Sequence, residues 1–133
     1  MNLFIDTSAF VALAAGADQF HREAKEFYET LRPLDKLHTS NYVLDETITR
    51  LRFSAGFSVS LKFAKELFHN SSFQIHTINP ACEKAALAVF EKYKDYALSF
   101  TDCTNFVLMQ ELDISEIFTF DEDFKKIGCR VYP

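Results

Sequence analysis

The chain has 133 residues, 48% of them hydrophobic, enough for one domain with its own core and no need of disulfides or a structural metal. Its three glycines, Gly16, Gly56 and Gly128, are far apart, which excludes a glycine-rich dinucleotide or phosphate loop and a nucleophile elbow. With 19 acidic against 14 basic residues the net charge is −5, which excludes a general nucleic-acid coat but leaves room for action on nucleic acid through a local metal site.

Leu3-Phe4-Ile5 is a short unbroken apolar run and predicts a buried parallel strand ending at Asp6. Thr7 to Ala15 follows as a helix stopped by Gly16, so the chain opens as the first half of a βαβ unit. Asp18 to Leu31 predicts a second helix with Phe20, Ala24, Phe27 and Leu31 on its apolar face, ended by Pro33. Lys36 to Ser40 is a short strand. Asn41 suits the N-cap of a third helix reaching about Ala55; Gly56 breaks it, and Ser58 to Phe68 resumes as a fourth. Ser72 to Ile78 reads as a strand, and Pro80 opens a helix to about Tyr93. Thr101 suits the N-cap of a helix from Asp102 to Leu112. Ile114 to Phe120 is the next strand, Asp121 to Phe124 a turn or single helical turn, and Cys129 to Tyr132 a last strand. Strands alternating with helices predict an α/β domain, with a central parallel sheet of four to five strands and helices on both faces, in a single domain over 1–133. Cys82, Cys103 and Cys129 are odd in number and lack zinc spacing, so they read as reduced thiols. The N-terminus lacks the basic start of a signal peptide, and the expected location is the cytoplasm.

In an open parallel sheet, ligands bind outside the carboxyl ends of the strands. Asp6 ends the first strand, Glu46 lies one turn into the helix after the second, Asp102 opens a later helix, and Asp121 follows the fourth strand. Each has a plain alternative: Asp6 as a helix cap, Glu46 as a partner of Arg50, Asp102 as a helix-dipole residue, Asp121 as a turn residue. Together they describe a cleft lined with carboxylates. Like charges gathered there repel and raise one another's pKa unless a cation fills the site, and hard divalent ions take oxygen ligands.

The motifs resemble those of PIN domains. Phe4-Ile5-Asp6-Thr7-Ser8-Ala9 is similar to the family's opening motif, and Asp45-Glu46-Thr47, with Arg50-Leu51-Arg52 after it, to the second. Ser99-Phe100-Thr101-Asp102-Cys103 resembles the third, and Phe118-Thr119-Phe120-Asp121-Glu122-Asp123-Phe124, followed by Gly128, the fourth. Length and motif order resemble most the toxin halves of VapBC-type toxin–antitoxin pairs. The resemblance implies a metal-dependent endoribonuclease using Mg²⁺, with Mn²⁺ as a substitute, and maps the metal acids onto Asp6, Glu46, Asp102 and Asp121. Asp6 and Asp102 are the expected central ligands and Glu46 and Asp121 the outer ones, with Asp123 able to replace or join Asp121. Ser8 and Thr101 match hydroxyl-bearing positions, as support for the ligands or as substrate contacts, and Arg50 could contact RNA phosphate. The resemblance also implies a homodimer and a cognate antitoxin whose peptide lies across the first, second and fourth helices near the acidic cleft. Asp45 is expected to be a solvated surface acid. Two other readings remain open at this stage: a PIN-like RNA-binding or RNA-processing protein that is not a toxin, and a Mg²⁺-binding phosphoacceptor signalling domain. Against the latter, Thr7-Ser8 rather than a second acid follows Asp6, and Asn79-Pro80 follows the third strand.

Overall fold

A computed structural model describes residues 1–133. In chain order the elements are β1 (Asn2–Ile5), α1 (Thr7–Ala14), α2 (His21–Glu29), β2 (Lys36–Ser40), α3 (Asn41–Ser54), α4 (Phe57–His69), β3 (Phe73–His76), α5 (Pro80–Lys92), α6 (Phe100–Glu111), β4 (Glu116–Phe118), α7 (Asp123–Lys126) and β5 (Arg130–Tyr132). All five strands run parallel, in the order β3-β2-β1-β4-β5. A receiver-type signalling domain has the order 2-1-3-4-5. The phosphoacceptor reading is therefore overturned by the topology.

Leu3, Phe4 and Ile5 of β1 are all fully buried although successive side chains point to opposite faces. The sheet is thus covered on both sides, as the unbroken apolar run requires. On one side α1 packs on α2 and α3, and α3 on α4; α5 and α6 pack on each other as a separate pair. Large aromatic side chains fill the space between: Phe27 of α2 meets Phe118 of β4 edge-on at 4.7 Å and stacks on Tyr132 of β5 at 5.5 Å. No helix is long and apolar enough to cross a membrane.

The chain builds β1, β2 and β3 outward in one direction, then crosses back to place β4 and β5 on the other side of β1. The strand order therefore reverses between β1 and β4, which makes a crevice at their carboxyl ends. Asp6 leaves the end of β1 at that crevice, and Thr119 to Asp121 leave the end of β4.

Several element ends differ from the expectation. The second helix begins at His21 because Asp18 Oδ1 accepts from Phe20 N at 2.8 Å and closes a turn first. Asn41 does not cap α3. Ser40 does, its Oγ accepting from Val43 N at 3.1 Å, while Asn41 Oδ1 accepts from Ile78 N at 2.7 Å and ties the exit of β3 to the start of α3. Thr101 does not cap α6, which starts at Phe100 with Ser99 as its cap. The third and fourth strands shrink to Phe73–His76 and Glu116–Phe118, since their ladders end where their neighbours β2 and β1 end. Gly56 joins α3 to α4 with φ 98°, a backbone conformation that only glycine adopts without strain.

Candidate active site

Asp6 occupies the N-cap position of α1, yet its carboxylate makes no capping bond. It turns across the crevice instead. Oδ1 accepts from Asn105 Nδ2 of α6 at 3.0 Å, and Oδ2 accepts from Thr119 Oγ1 at 2.8 Å. The residue is only 3% exposed. Burial raises its pKa above the ordinary carboxylate value; the Thr119 hydrogen bond works against that, and the charges of Glu46 and Asp121 push it up further.

Asp102 stands at the third position of α6. Its Oδ2 accepts from Ser99 N at 2.8 Å while Ser99 Oγ accepts from Asp102 N at 3.0 Å, a reciprocal capping box. Asp102 thus does have a structural role at the helix start, a capping box rather than the helix-dipole contact expected as the plain alternative, but it uses only one carboxylate oxygen. The pKa of Asp102 is pushed up to about 7, first by burial and then by the charges of Asp6 and Asp121. Burial and the charges of neighbouring acids raise the proton affinity of both Asp6 and Asp102, which marks a place where positive charge is wanted.

A cavity of about 220 Å³ opens here, lined by Asp6, Thr7, Ser8, Glu46, Arg50, Ser99, Asp102 and Asp121, with no hydrophobic side chain among them. All four sequence-predicted acids therefore line one cavity, although they come from four distant segments. Glu46 is half-buried toward it while its neighbour Asp45 is exposed, as the helical period requires. Neither Glu46 nor Arg50 takes part in any ion pair of the chain, so the plain reading of that pair finds no support. Asp121 does make its turn, Oδ1 accepting from Asp123 N at 2.9 Å, with the other oxygen left over. Asp123 is not part of the lining; its carboxylate pairs with Lys126 at 2.6 Å. Thr101 also lies outside the lining, its carbonyl accepting from Thr104 Oγ1 at 2.7 Å.

Ser8 is inside the cavity and internally engaged. Its hydroxyl is 3.0 Å from Thr119 Oγ1 and accepts from Phe120 N at 3.0 Å, which stitches the start of α1 to the exit of β4. Sequence reasoning assigned no role to Asn105 or Thr119, yet these two set the orientation of Asp6. Thr119 lay within a motif already singled out. Asn105 follows Asp102 by three residues and so shares its helix face, a signal that could have found it.

The donor set fits a hard divalent cation: carboxylates and hydroxyls, no nitrogen or sulfur. No three acidic, histidine or cysteine side chains converge tightly enough to hold an ion by themselves. That arrangement suits Mg²⁺, which is commonly held by one or two carboxylates while water and substrate phosphate complete its shell.

Comparison with known proteins agrees with this geometry. The chain is 29% identical over 126 residues to the 23S rRNA-specific endonuclease VapC20 of Mycobacterium tuberculosis, covering 95% of this chain and 94% of the relative. The crystal structure of VapC20, described as a sarcin–ricin loop cleaving toxin, superposes with a TM-score of 0.90 at 29% identity, over 98% of this chain and 99% of the other. At 22% identity, a toxin–antitoxin complex from Klebsiella pneumoniae shares the fold, with a TM-score of 0.68 over 98% of this chain and 96% of that one. VapBC2 from Rickettsia felis, bound to a DNA fragment from its promoter, does so at 15% identity and a TM-score of 0.71, over 98% and 97% of the two chains. The PIN domain model matches residues 3–128, a span that contains all four acids and both strands that frame the crevice. With sheet order, acidic crevice and motif order all in agreement with that match, this chain belongs to the PIN domain family.

Proposed function

We propose that this chain is a metal-dependent endoribonuclease that hydrolyses RNA phosphodiester bonds, acting as the toxin of a toxin–antitoxin pair in the cytoplasm, with residues 1–133 as one catalytic domain. The observation that carries the reading is the cavity without a hydrophobic side chain, in which Asp6, Glu46, Asp102 and Asp121 meet at the strand-order reversal. Mg²⁺, with Mn²⁺ as substitute, supplies the charge that polarises the phosphoryl group and favours ionisation of the attacking water. Asp6 and Asp102 are the central ligands. Asn105 and Thr119 hold Asp6 in place, and the Ser99 cap holds Asp102. Glu46 and Asp121 orient water at the rim, and Arg50, on the same lining, neutralises a substrate phosphate. Ser8 fixes the β4 exit and so the place of Asp121.

The VapC20 likeness makes 23S rRNA the first substrate to test. Cleavage that requires Mg²⁺ or Mn²⁺, stops with EDTA, and is lost in Asp6→Asn and Asp102→Asn supports the reading; metal-dependent cleavage that survives both substitutions overturns the site. An antitoxin segment is accommodated by an apolar cleft of about 290 Å³ between α1, α2 and α4, lined by Phe10, Leu13, Tyr28, Phe63 and Leu67. A second copy of the chain docks on the exposed Leu87 and Phe90 of α5 beside Phe100, a homodimer that Leu87→Glu should convert to monomer, as read by sedimentation.

A further inference from the structure

Resting on the ribonuclease reading, we infer a base-stacking subsite for single-stranded RNA outside the acidic cavity, formed by Tyr96 with Lys126 and supported by Tyr93 and Lys92. Lys92, Tyr93 and Tyr96 lie where the chain leaves α5 and has not yet entered α6, and Lys126 reaches Tyr96 from the end of α7. The rings of Tyr93 and Tyr96 stack at 6.0 Å and 25°. Tyr93 is held from behind by Phe106 of α6, edge-on at 6.0 Å, so the pair stands on a fixed base. Tyr96 is 38% exposed. Two cations attend the rings: Lys126 Nζ lies 5.6 Å from the centre of Tyr96 and Lys92 Nζ 5.1 Å from that of Tyr93.

Short links join this platform to the cavity. Lys126 pairs with Asp123 at 2.6 Å, and Asp123 N donates to Asp121 Oδ1 at 2.9 Å. Three residues after Tyr96 comes Ser99, which lines the cavity. A strand placed with its scissile phosphate over the acids therefore passes the platform with an adjacent nucleotide.

The chemistry asks for such a subsite. A chain of net charge −5 with four acids at its centre repels an RNA backbone. Attraction must come from a few local cations and from contacts indifferent to charge. Stacking of an unpaired base on the Tyr96 ring, in place of the Lys126 ammonium that lies over it, supplies the second, and the displaced lysine reaches the neighbouring phosphate. The two lysines favour RNA over a second copy of the chain here, because lysine is depleted in the cores of protein–protein interfaces.

The test compares wild type, Tyr96→Leu, Tyr96→Phe and Lys126→Met on a single-stranded RNA spanning the cut, and on the same RNA carrying one abasic residue at each position in turn. Tyr96→Leu should raise KM about tenfold with kcat changed less than twofold, while Tyr96→Phe stays near wild type. One abasic position should raise the wild-type KM by a similar factor and add nothing in Tyr96→Leu. Lys126→Met should raise KM and flatten its salt dependence. A Tyr96→Leu variant with wild-type KM overturns the subsite, as does one whose loss accompanies a dimer-to-monomer shift in sedimentation, which assigns the surface to a second copy. The chain has no tryptophan, so Tyr96→Trp carries a lone reporter. Quenching of its emission by a mixed-sequence single-stranded RNA, but not by the abasic strand, supports the subsite even if no RNA tested is cut. Absence of quenching overturns it, whereas absence of wild-type cleavage counts only against the ribonuclease reading.

Discussion

At Asp6 a carboxylate placed where it could cap a helix is claimed instead by neutral donors, Asn105 Nδ2 and Thr119 Oγ1 at close range and Ser8 Oγ at 3.4 Å. Neutral donors fix the direction of an anion's lone pairs without cancelling its charge, which leaves the charge available to a cation. Thr119→Val keeps the shape and removes both the donor to Asp6 Oδ2 and the acceptor for Asp121 N. Affinity for Mn²⁺, measured by calorimetric titration, should fall about 10–100-fold, and denaturant unfolding should show a loss of about 1–3 kcal/mol. Unchanged affinity would mean that Thr119 only packs. Asp102 gives a second expectation at this scale. Its folded pKa of about 7 lies well above that of an unfolded aspartate. A group whose folded pKa is raised favours the fold when protonated. That contribution is complete below the unfolded value and is lost as pH rises through the folded one. In EDTA, the wild type should therefore lose stability between about pH 4 and pH 7 through this group. Asp102→Asn keeps an acceptor for Ser99 N and has no charge, so it should melt higher than wild type at neutral pH with a flatter profile. A metal-free mutant that melts lower at pH 7 would reduce Asp102 to a capping residue.

At the scale of elements, α3 and α6 present the acids by rotation alone. Residues adjacent in a helix point about 100° apart, so Glu46 faces the cavity and Asp45 the solvent. Glu46→Gln should lower the cleavage rate at least about tenfold, and Asp45→Asn should leave it within twofold; the reverse order would place α3 in the wrong rotation. The same comparison separates Asp121→Asn, on the lining, from Asp123→Asn, which only frees Lys126. These faces were legible in the sequence because a helical period is local, and β1 was legible because an unbroken apolar run leaves little else for it to be. Caps were less legible. Ser40-Asn41 and Ser99 with Thr101 each offer two competent residues, and tertiary demand chooses between them. Asn41 is needed by Ile78 N, 37 residues away, and Ser99 wins by its reciprocal bond with Asp102. The least legible were Asn105 and Thr119, whose shared partner Asp6 lies 99 and 113 residues away along the chain. No local pattern encodes a hydrogen bond that exists only once β4 and α6 have closed on β1.

For the whole molecule, the site opposes folding until it is filled. The crevice gathers acids from β1, α3, α6 and the β4 exit, and burial makes their repulsion expensive. The sheet order forces the meeting, since no arrangement that seats β1 between β2 and β4 can keep the ends of β1 and β4 apart. A ligand that binds the native state and not the unfolded chain stabilises by mass action, about 2.7 kcal/mol at a hundred times its dissociation constant. Mn²⁺ should accordingly raise the melting temperature of the wild type in a concentration-dependent way, with the rise growing as pH climbs through about 7, where Asp102 ionises. The rise should shrink sharply in Asp6→Asn, because that substitution removes the charge at the centre of the crevice while Asn105 and Thr119 remain. It should persist in Asp123→Asn, whose carboxylate lies outside the lining. If Mn²⁺ stabilises Asp6→Asn as much as wild type, the ion binds elsewhere on this acidic chain, and the crevice is a structural cluster of caps and turns.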